Sequence, residues 1–177
     1  MTSPLSVLET PAAVIDIPRM QANIDRMQQR MNSFGVRLRP HIKTTKCLPV
    51  IAAQIVAGAC GITVSTLKEA QYCFAEGIDD ILYAVSMAPG KLPQAHDLKQ
   101  RGCNLSIITD SLQGAAAIVA FGREHHTRFD VWIEVDCDGH RSGLNSDGQT
   151  LLDVAQTLHE GGMNLKGVLT HAGSSYE

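Results

Sequence analysis

Lys43 is the residue whose type and setting point most directly to chemistry. It lies in the segment Arg-Pro-His-Ile-Lys-Thr-Thr-Lys at residues 39–46, between an apolar stretch and the start of a helix. A neighbouring cation or partial burial makes a lysine amine easier to deprotonate, and a neutral amine can form a Schiff base with an aldehyde. Enzymes that use pyridoxal phosphate (PLP) depend on such an amine. A lysine at the end of a strand can also be an ordinary solvated residue, and the residue types alone leave both interpretations open.

A second polar cluster is Glu-Val-Asp-Cys-Asp-Gly-His-Arg-Ser-Gly at residues 134–143. Its carboxylates and histidine suggest a divalent metal site, but their spacing is not that of an EF-hand, and Asp-Gly is common in turns. Arg141 is a permanent cation between two glycines, suited to holding a phenolate or a carboxylate. The alternative is a salt bridge from Arg141 to Asp136 or Asp138.

The third cluster is Thr-His-Ala-Gly-Ser-Ser-Tyr at residues 170–176. Its small residues allow a ligand to approach the backbone, and serine hydroxyls with backbone N–H groups can hold an anion. His171 could stack on a ring or be structural. Tyr176 offers a phenol at the same place, or could pack beneath a following helix.

Strand-like and helix-like segments alternate along the chain and must position these clusters. We predict strands at residues 12–17, 36–42, 62–64, 81–85, 105–108, 131–135 and 165–170. Between them we predict helices at residues 18–35, 48–56, 67–77, 92–101, 112–124 and 151–159. This alternation predicts an α/β fold with a parallel sheet. The polar clusters follow strand ends, which is the position of ligand sites in both (β/α)₈ barrels and doubly wound sheets.

Local signals refine the helices. Asp16 is expected to cap the first helix, with Met20, Ile24, Met27 and Met31 as its buried stripe. Other caps are expected from a capping box of Thr66 with Glu69, and from Asp110 or Ser111. We predict seven strands, whereas a closed barrel requires eight. The sequence therefore resembles the N-terminal part of a longer protein. The alternative is a complete doubly wound domain.

Composition is typical of a soluble globular protein, with 177 residues, 44% hydrophobic and 19% charged. A net charge of −3 does not indicate a binding surface for nucleic acid or for an acidic membrane. No segment is typical of a signal peptide or a membrane span, and no GxGxxG or Walker motif opens a helix. The five cysteines form no CxxC pair, which favours reduced thiols in a cytoplasmic protein.

Four segments, in order along the whole chain, resemble a known family: residues 10–24, 39–46, 136–143 and 170–176. They are similar to the D-threonine aldolase and D-serine dehydratase family, fold-type III PLP enzymes related to alanine racemase. The Pro-His-x-Lys-Thr block is the specific feature. Many relatives carry a histidine where this chain has Thr45, which puts an auxiliary proton-transfer role for that position in doubt.

The resemblance implies a PLP-binding (β/α)₈ barrel of alanine racemase type, present here as an incomplete N-terminal portion. Residues 1–17 would be an N-terminal strand associated with a separate β domain. Residues 18–177 would be a partial barrel, with the last strands and the C-terminal β domain absent. Lys43 would bind PLP and act as the catalytic base, Arg141 would contact the phenolic oxygen, His171 would lie near the ring, and Tyr176 near the pyridine nitrogen. No metal ligand is assigned here, because the residues that bind the divalent metal ion are expected outside this chain.

The implied activity is that of a PLP- and divalent-metal-dependent lyase, which eliminates water from a β-hydroxy-D-amino acid to give an oxo acid and ammonia. The alternatives are an aldolase that releases glycine and an aldehyde, and a non-catalytic PLP carrier. The resemblance also implies a homodimer, with no nucleic-acid or membrane partner. We expect negligible activity from residues 1–177 alone, because an unclosed barrel would leave the cofactor pocket open to water.

Overall fold

A computed structural model describes residues 8–176, with side chains described up to Ser175. The described residues form one parallel sheet of six strands. The strands are β1 (Ile62–Val64), β2 (Asp80–Ser86), β3 (Asn104–Thr109), β4 (Asp130–Asp136), β5 (Leu144–Asn145) and β6 (Asn164–Thr170). The ladder runs β1-β2-β3-β4, and β6 continues it beyond β4. The two-residue β5 pairs only with the last two residues of β4 and was not predicted.

Within residues 8–176, six α-helices cover the sheet or flank its ends: α1 (Ile17–Ser33), α2 (Leu48–Val56), α3 (Leu67–Ala75), α4 (Leu92–Gln100), α5 (Leu112–Glu124) and α6 (Gln149–Glu160). The parallel β-strand and α-helix alternation confirms the predicted α/β class. The core lies between the strands and α3 to α6, where Tyr83, Leu105 and Phe129 are fully buried. No helix among residues 8–176 is both long and apolar enough to cross a lipid bilayer.

The segment predicted as a strand at residues 36–42 does not form one. It runs beside β1, where the Cys60 and Thr63 N–H groups donate to the carbonyls of Leu38 and Pro40, both at 2.8 Å. Only His41 makes a bridge, to Thr63. Pro40 has no N–H with which to continue a ladder, so the strand expected to deliver Lys43 is reduced to a few hydrogen bonds.

The predicted stripe on α1 is only partly correct. Asp16 caps the helix as expected, its Oδ1 accepting a hydrogen bond from the Arg19 N–H at 3.0 Å. However, Met27 is 49% exposed, whereas Gln28 beside it is 6% exposed. Helix α1 packs mainly against α2 and the residues leading to Lys43, so the face that it buries is rotated from the one that apolar spacing selects.

The chain before α1 forms no hydrogen-bonded strand within the described residues, and Ile17 begins the helix rather than ending a strand. Here the side chains of Val14, Ile15 and Ile17 are 63%, 45% and 61% exposed.

The predicted capping box on α3 is confirmed in both directions. Ser111, rather than Asp110, caps α5, because the Asp110 carboxylate instead accepts a hydrogen bond from the Ser86 hydroxyl.

Candidate active site

A cavity of about 350 Å³ opens at the carboxyl ends of β1, β2, β4 and β6. The structure brings together here three of the four residues for which the sequence suggested a cofactor contact, namely Lys43, Arg141 and His171. Tyr176 ends a 3₁₀ turn in the adjoining segment, and its side chain lies outside the described residues. The other polar residues that line the cavity are His41, Thr63, Ser65, Glu134, Ser142 and Thr170.

Lys43 sits in a short 3₁₀ turn rather than at a strand end. We call residues 41–46 the lysine turn. His41 caps it, because the Lys43 backbone N–H donates to His41 Nδ1 at 3.2 Å. The Lys43 side chain is exposed. No carboxylate within the described part of the chain lies at ion-pair distance from it, so its amine is open to the cavity.

The second cation of the lysine turn is not available to influence Lys43 as the sequence suggested. Lys46 Nζ pairs with Glu69 Oε1 at 2.9 Å. The other oxygen of Glu69 accepts the N–H groups of Ser65 and Thr66 at 2.9 and 3.1 Å. Burial raises the pKa of the Glu69 carboxyl, but the Lys46 ammonium and these two N–H groups outweigh it and hold the pKa below its ordinary value. Glu69 therefore fixes both the start of α3 and the end of the lysine turn.

Arg141 lies in residues 136–143, which we call the arginine loop. The expected alternative, a salt bridge to Asp136 or Asp138, is not formed. Asp136 Oδ1 accepts the N–H groups of Asp138 and Gly139 at 3.3 and 3.0 Å. Asp138 Oδ2 accepts the Ser174 N–H at 2.8 Å, and this bond lowers the pKa of the Asp138 carboxyl. Both carboxylates are used to shape backbone, so Arg141 has no ion pair among the described residues.

Close backbone packing holds the arginine loop in place. Gly143 has φ +131°, and a Cβ there would overlap the Asp136 backbone nitrogen and the Val135 backbone. In the loop after β6, a Cβ on Gly173 would lie 3.5 Å from Arg141 Cγ. The loop after β4 and the loop after β6 therefore meet around the stem of Arg141.

Glu134 is a site residue to which the sequence analysis gave no cofactor role. It faces the cavity from β4 and is 7% exposed. Burial raises the pKa of its carboxyl above the ordinary value, against the lowering effects of a hydrogen bond from Ser142 and of the charges of His171 and Arg141. Successive side chains of a strand point to opposite faces of the sheet. The alternation of apolar and acidic residues in Ile-Glu-Val-Asp at residues 133–136 is therefore the sequence signal that could have indicated the direction of Glu134.

The residues present suit a small anionic aldehyde cofactor such as PLP. An amine and a guanidinium, neither paired with a carboxylate in the described residues, open into one cavity of a volume typical for small ligands. No three His, Cys, Asp or Glu side chains come together to bind a metal ion anywhere in the part of the chain that the structure describes.

Comparison with known proteins places this geometry in a family. The sequence model for the alanine racemase N-terminal domain matches residues 15–177. The chain is 65% identical to D-threo-3-hydroxyaspartate dehydratase of Delftia sp. (strain HT23), over 100% of this chain and 47% of that protein. It is 30% identical to D-serine dehydratase of Dictyostelium discoideum, over 84% of this chain and 41% of that protein.

Comparison with solved structures leads to the same family. The Delftia dehydratase superposes with a TM-score of 0.94 over 96% of this chain and 45% of that chain. Alanine racemase from E. faecalis, at 20% identity, shares the fold with a TM-score of 0.78 over 92% of this chain. The chain spans about half the length of the curated relatives that it matches. It belongs to the alanine racemase N-terminal domain family, with the fold of the type III PLP enzymes.

Proposed function

We propose that the whole protein of which this chain is a part is a PLP- and divalent-metal-dependent dehydratase. Its substrate would be a β-hydroxy-D-amino acid of the D-threo-3-hydroxyaspartate type, and its products an oxo acid and ammonia. The observation that carries the proposal is the 65% identity with D-threo-3-hydroxyaspartate dehydratase over 100% of this chain, a match whose span covers the cavity. A mutant of that dehydratase has been solved in a metal-free form, which supports metal dependence.

Four residues would hold the cofactor. Lys43 would bind it covalently, Arg141 would contact its phenolic oxygen, His171 would lie near the ring, and Tyr176 near the pyridine nitrogen. The shared cavity of Lys43, Arg141 and His171 supports three of these assignments. The absence of a carboxylate partner for Arg141 among the described residues leaves its guanidinium able to bind an anionic oxygen.

The reaction would use the chain's own groups to move one proton and hold charge. When bound, PLP would supply an electron sink for charge at the substrate Cα. Lys43 would take the Cα proton as a general base. Arg141 would stay protonated and hold the phenolic oxygen throughout. A metal ion, whose ligands we place outside this chain, would make the β-hydroxyl a better leaving group.

The domain assignment is also a proposal. Residues 1–17 would associate with a separate β domain, and residues 18–177 would form part of the barrel. The exposure of Val14, Ile15 and Ile17 supports it, because three neighbouring apolar side chains gain free energy from a covering partner. We further propose a cytoplasmic homodimer. The five cysteines, all free thiols in the structure, fit a reducing compartment.

Borohydride reduction of the whole protein, followed by peptide mapping, tests the anchor. We expect one reduced PLP adduct, on Lys43. The adduct should disappear in Lys43→Ala and in Lys43→Arg, because a guanidinium stays protonated and does not condense. Lys68→Ala, at an exposed lysine outside the cavity, is the matched control and should keep the adduct. An adduct on another residue would refute the proposal.

Product analysis tests the reaction. With D-threo-3-hydroxyaspartate as substrate, we expect ammonia and an oxo acid without glycine. Glycine with an aldehyde would instead establish the aldolase alternative. An adduct on Lys43 with no turnover of any β-hydroxy-D-amino acid would favour the PLP carrier.

A further inference from the structure

His41 joins the backbone of the lysine turn to a hydroxyl in the cavity. Its Nδ1 lies 3.2 Å from the Lys43 backbone nitrogen, and its Nε2 lies 3.2 Å from Ser65 Oγ. A backbone N–H can only donate, so Nδ1 must accept. In a neutral imidazole the proton then resides on Nε2. His41 therefore donates to Ser65, and not the reverse.

The surroundings of His41 favour the neutral form of its ring. Burial lowers its pKa below the ordinary value of 6.5, and the nearby Lys43 charge lowers it further. The His171 charge acts in the same direction, while the Glu69 carboxylate acts against it. A proton on Nδ1 would also break the hydrogen bond that caps the lysine turn.

The contacts of Ser65 direct its hydroxyl proton away from His41. Its backbone N–H is bound to Glu69 Oε2 at 2.9 Å, which fixes the residue between β1 and α3. Its Oγ accepts from His41, and within the described residues that is its one hydrogen-bond partner. A hydroxyl has a single proton, so the Ser65 O–H is left to serve an acceptor in the cavity that Ser65 lines with Lys43 and Arg141.

We infer that Ser65 is a directed hydrogen-bond donor to an anionic oxygen bound in this cavity, with His41 as the residue that sets its direction. The Arg141 guanidinium lines the same space, so an anionic acceptor is favoured over a neutral one. The inference rests on the proposed function, in which that oxygen belongs either to the cofactor or to a substrate carboxylate. Donation from His41 polarises the Ser65 hydroxyl and strengthens its own donation.

The test compares Ser65→Thr with Ser65→Val in the whole protein, because these side chains have the same shape and differ in the hydroxyl. PLP affinity of the apoenzyme and the cofactor's absorbance against pH report on the cofactor. The KM for D-threo-3-hydroxyaspartate reports on the substrate. We expect Ser65→Val to weaken one of these by roughly tenfold to a hundredfold, the loss typical of a hydrogen bond to a charged group. Ser65→Thr should remain close to wild type.

The pattern of loss identifies the acceptor. Weaker PLP binding with a shifted absorbance titration places the oxygen on the cofactor. A higher KM with unchanged PLP binding and absorbance places it on the substrate. Equal behaviour of the Thr and Val variants in all three measurements overturns the inference. A wild-type protein that forms no borohydride adduct on Lys43 would instead overturn the proposed function, so the two failures are distinguishable.

The role of His41 has a readout that does not need the cofactor. In protein labelled with ¹⁵N-histidine, the signals absent from His41→Asn assign the ring, and we expect the Nε2–H tautomer near neutral pH. Asparagine can still accept the Lys43 N–H as the first residue of a turn but has no atom at the Nε2 position. His41→Asn should therefore show part of the Ser65→Val defect while keeping the adduct on Lys43. An Nδ1–H tautomer would overturn the direction of donation.

Discussion

The two ends of the sheet carry similar charges and use them differently. At the amino ends of the strands, Arg39 pairs with Asp80 at 2.9 Å, and Lys166 pairs with Asp130 at 3.4 Å. At the carboxyl ends, Lys43 and Arg141 have no carboxylate partner among the described residues, although Asp136 and Asp138 are close in sequence. Those carboxylates bind backbone N–H groups instead.

This difference separates charges that stabilise the fold from charges that we propose bind a ligand. Arg39 also donates to the carbonyls of Ile62 and Asp80 at 3.3 and 3.1 Å, so it ties β1 to β2. A cation whose hydrogen bonds are made within the protein contributes to stability. A cation without such bonds, such as the exposed Lys43 or Arg141, is solvated by water and stays available to a ligand.

The largest effect is expected at Gly143, where backbone contact rather than charge positions Arg141. Gly143→Ala must displace β5 from β4, because the new Cβ would overlap Val135 and Asp136. We expect a loss of about 3 kcal/mol or more in the free energy of unfolding. Gly139→Ala is the control, since its φ is +72° with nothing within 4 Å, and should cost only about 1 kcal/mol. Urea unfolding measures both, and equal losses would contradict this account.

Arg39→Ala and Arg141→Ala should separate the two ends directly. Removing Arg39 leaves the half-buried Asp80 unpaired and removes its hydrogen bonds to two carbonyls, at a cost of about 2 kcal/mol. Removing Arg141 should change the free energy of unfolding of the apoprotein by less than about 0.5 kcal/mol but weaken PLP binding. Thermal unfolding and PLP titration of each variant test this. Strong destabilisation by Arg141→Ala would show that its charge is structural.

A smaller effect is expected from the cap that supports the lysine turn. Thr66→Ala removes the hydroxyl that accepts the Glu69 N–H at 3.1 Å. Loss of such a cap costs about 1 kcal/mol, whereas Thr66→Ser should retain most of it. Chemical unfolding gives the two values. An alanine variant as stable as the serine variant would mean that Glu69 alone suffices.

The smallest effect is a pH dependence from His41. Its folded-state pKa lies below the unfolded value of 6.5, so the unfolded chain binds the proton more readily. Its contribution to stability is complete above pH 6.5 and falls as the pH drops from there towards the folded-state pKa. The difference in unfolding free energy between wild type and His41→Asn should therefore shrink on acidification. A difference that grows would show that the His41 pKa is raised.

Local signals in the sequence predicted much of this fold. The Asp16 cap and the Thr66–Glu69 box involve residues three apart, and both form as expected. The strands at residues 81–85 and 131–135 are each correct to within one residue at either end. Lys43, Arg141 and His171 were found by chemistry and resemblance, and they share one cavity.

Features that depend on distant contacts were not predicted. The pairing of Lys46 with Glu69 crosses from one loop to the next helix, and only the fold shows that Lys46 is not a free neighbour of Lys43. Burial of Gln28 beside exposed Met27 reflects where α1 meets its neighbours. The inward aim of Ser65 and Glu134 requires knowing how the strands are arranged around the cavity.

Glu69 gives the site a mechanical property. One carboxylate binds the first turn of α3 and the ammonium of Lys46, so it links that helix to the turn that carries Lys43. A substitution at buried Leu67 or Ala70 that shifts α3 would then displace Lys43. It would do so without changing any residue that we propose contacts the cofactor. Loss of function by such a route would look like a catalytic defect and originate in helix packing.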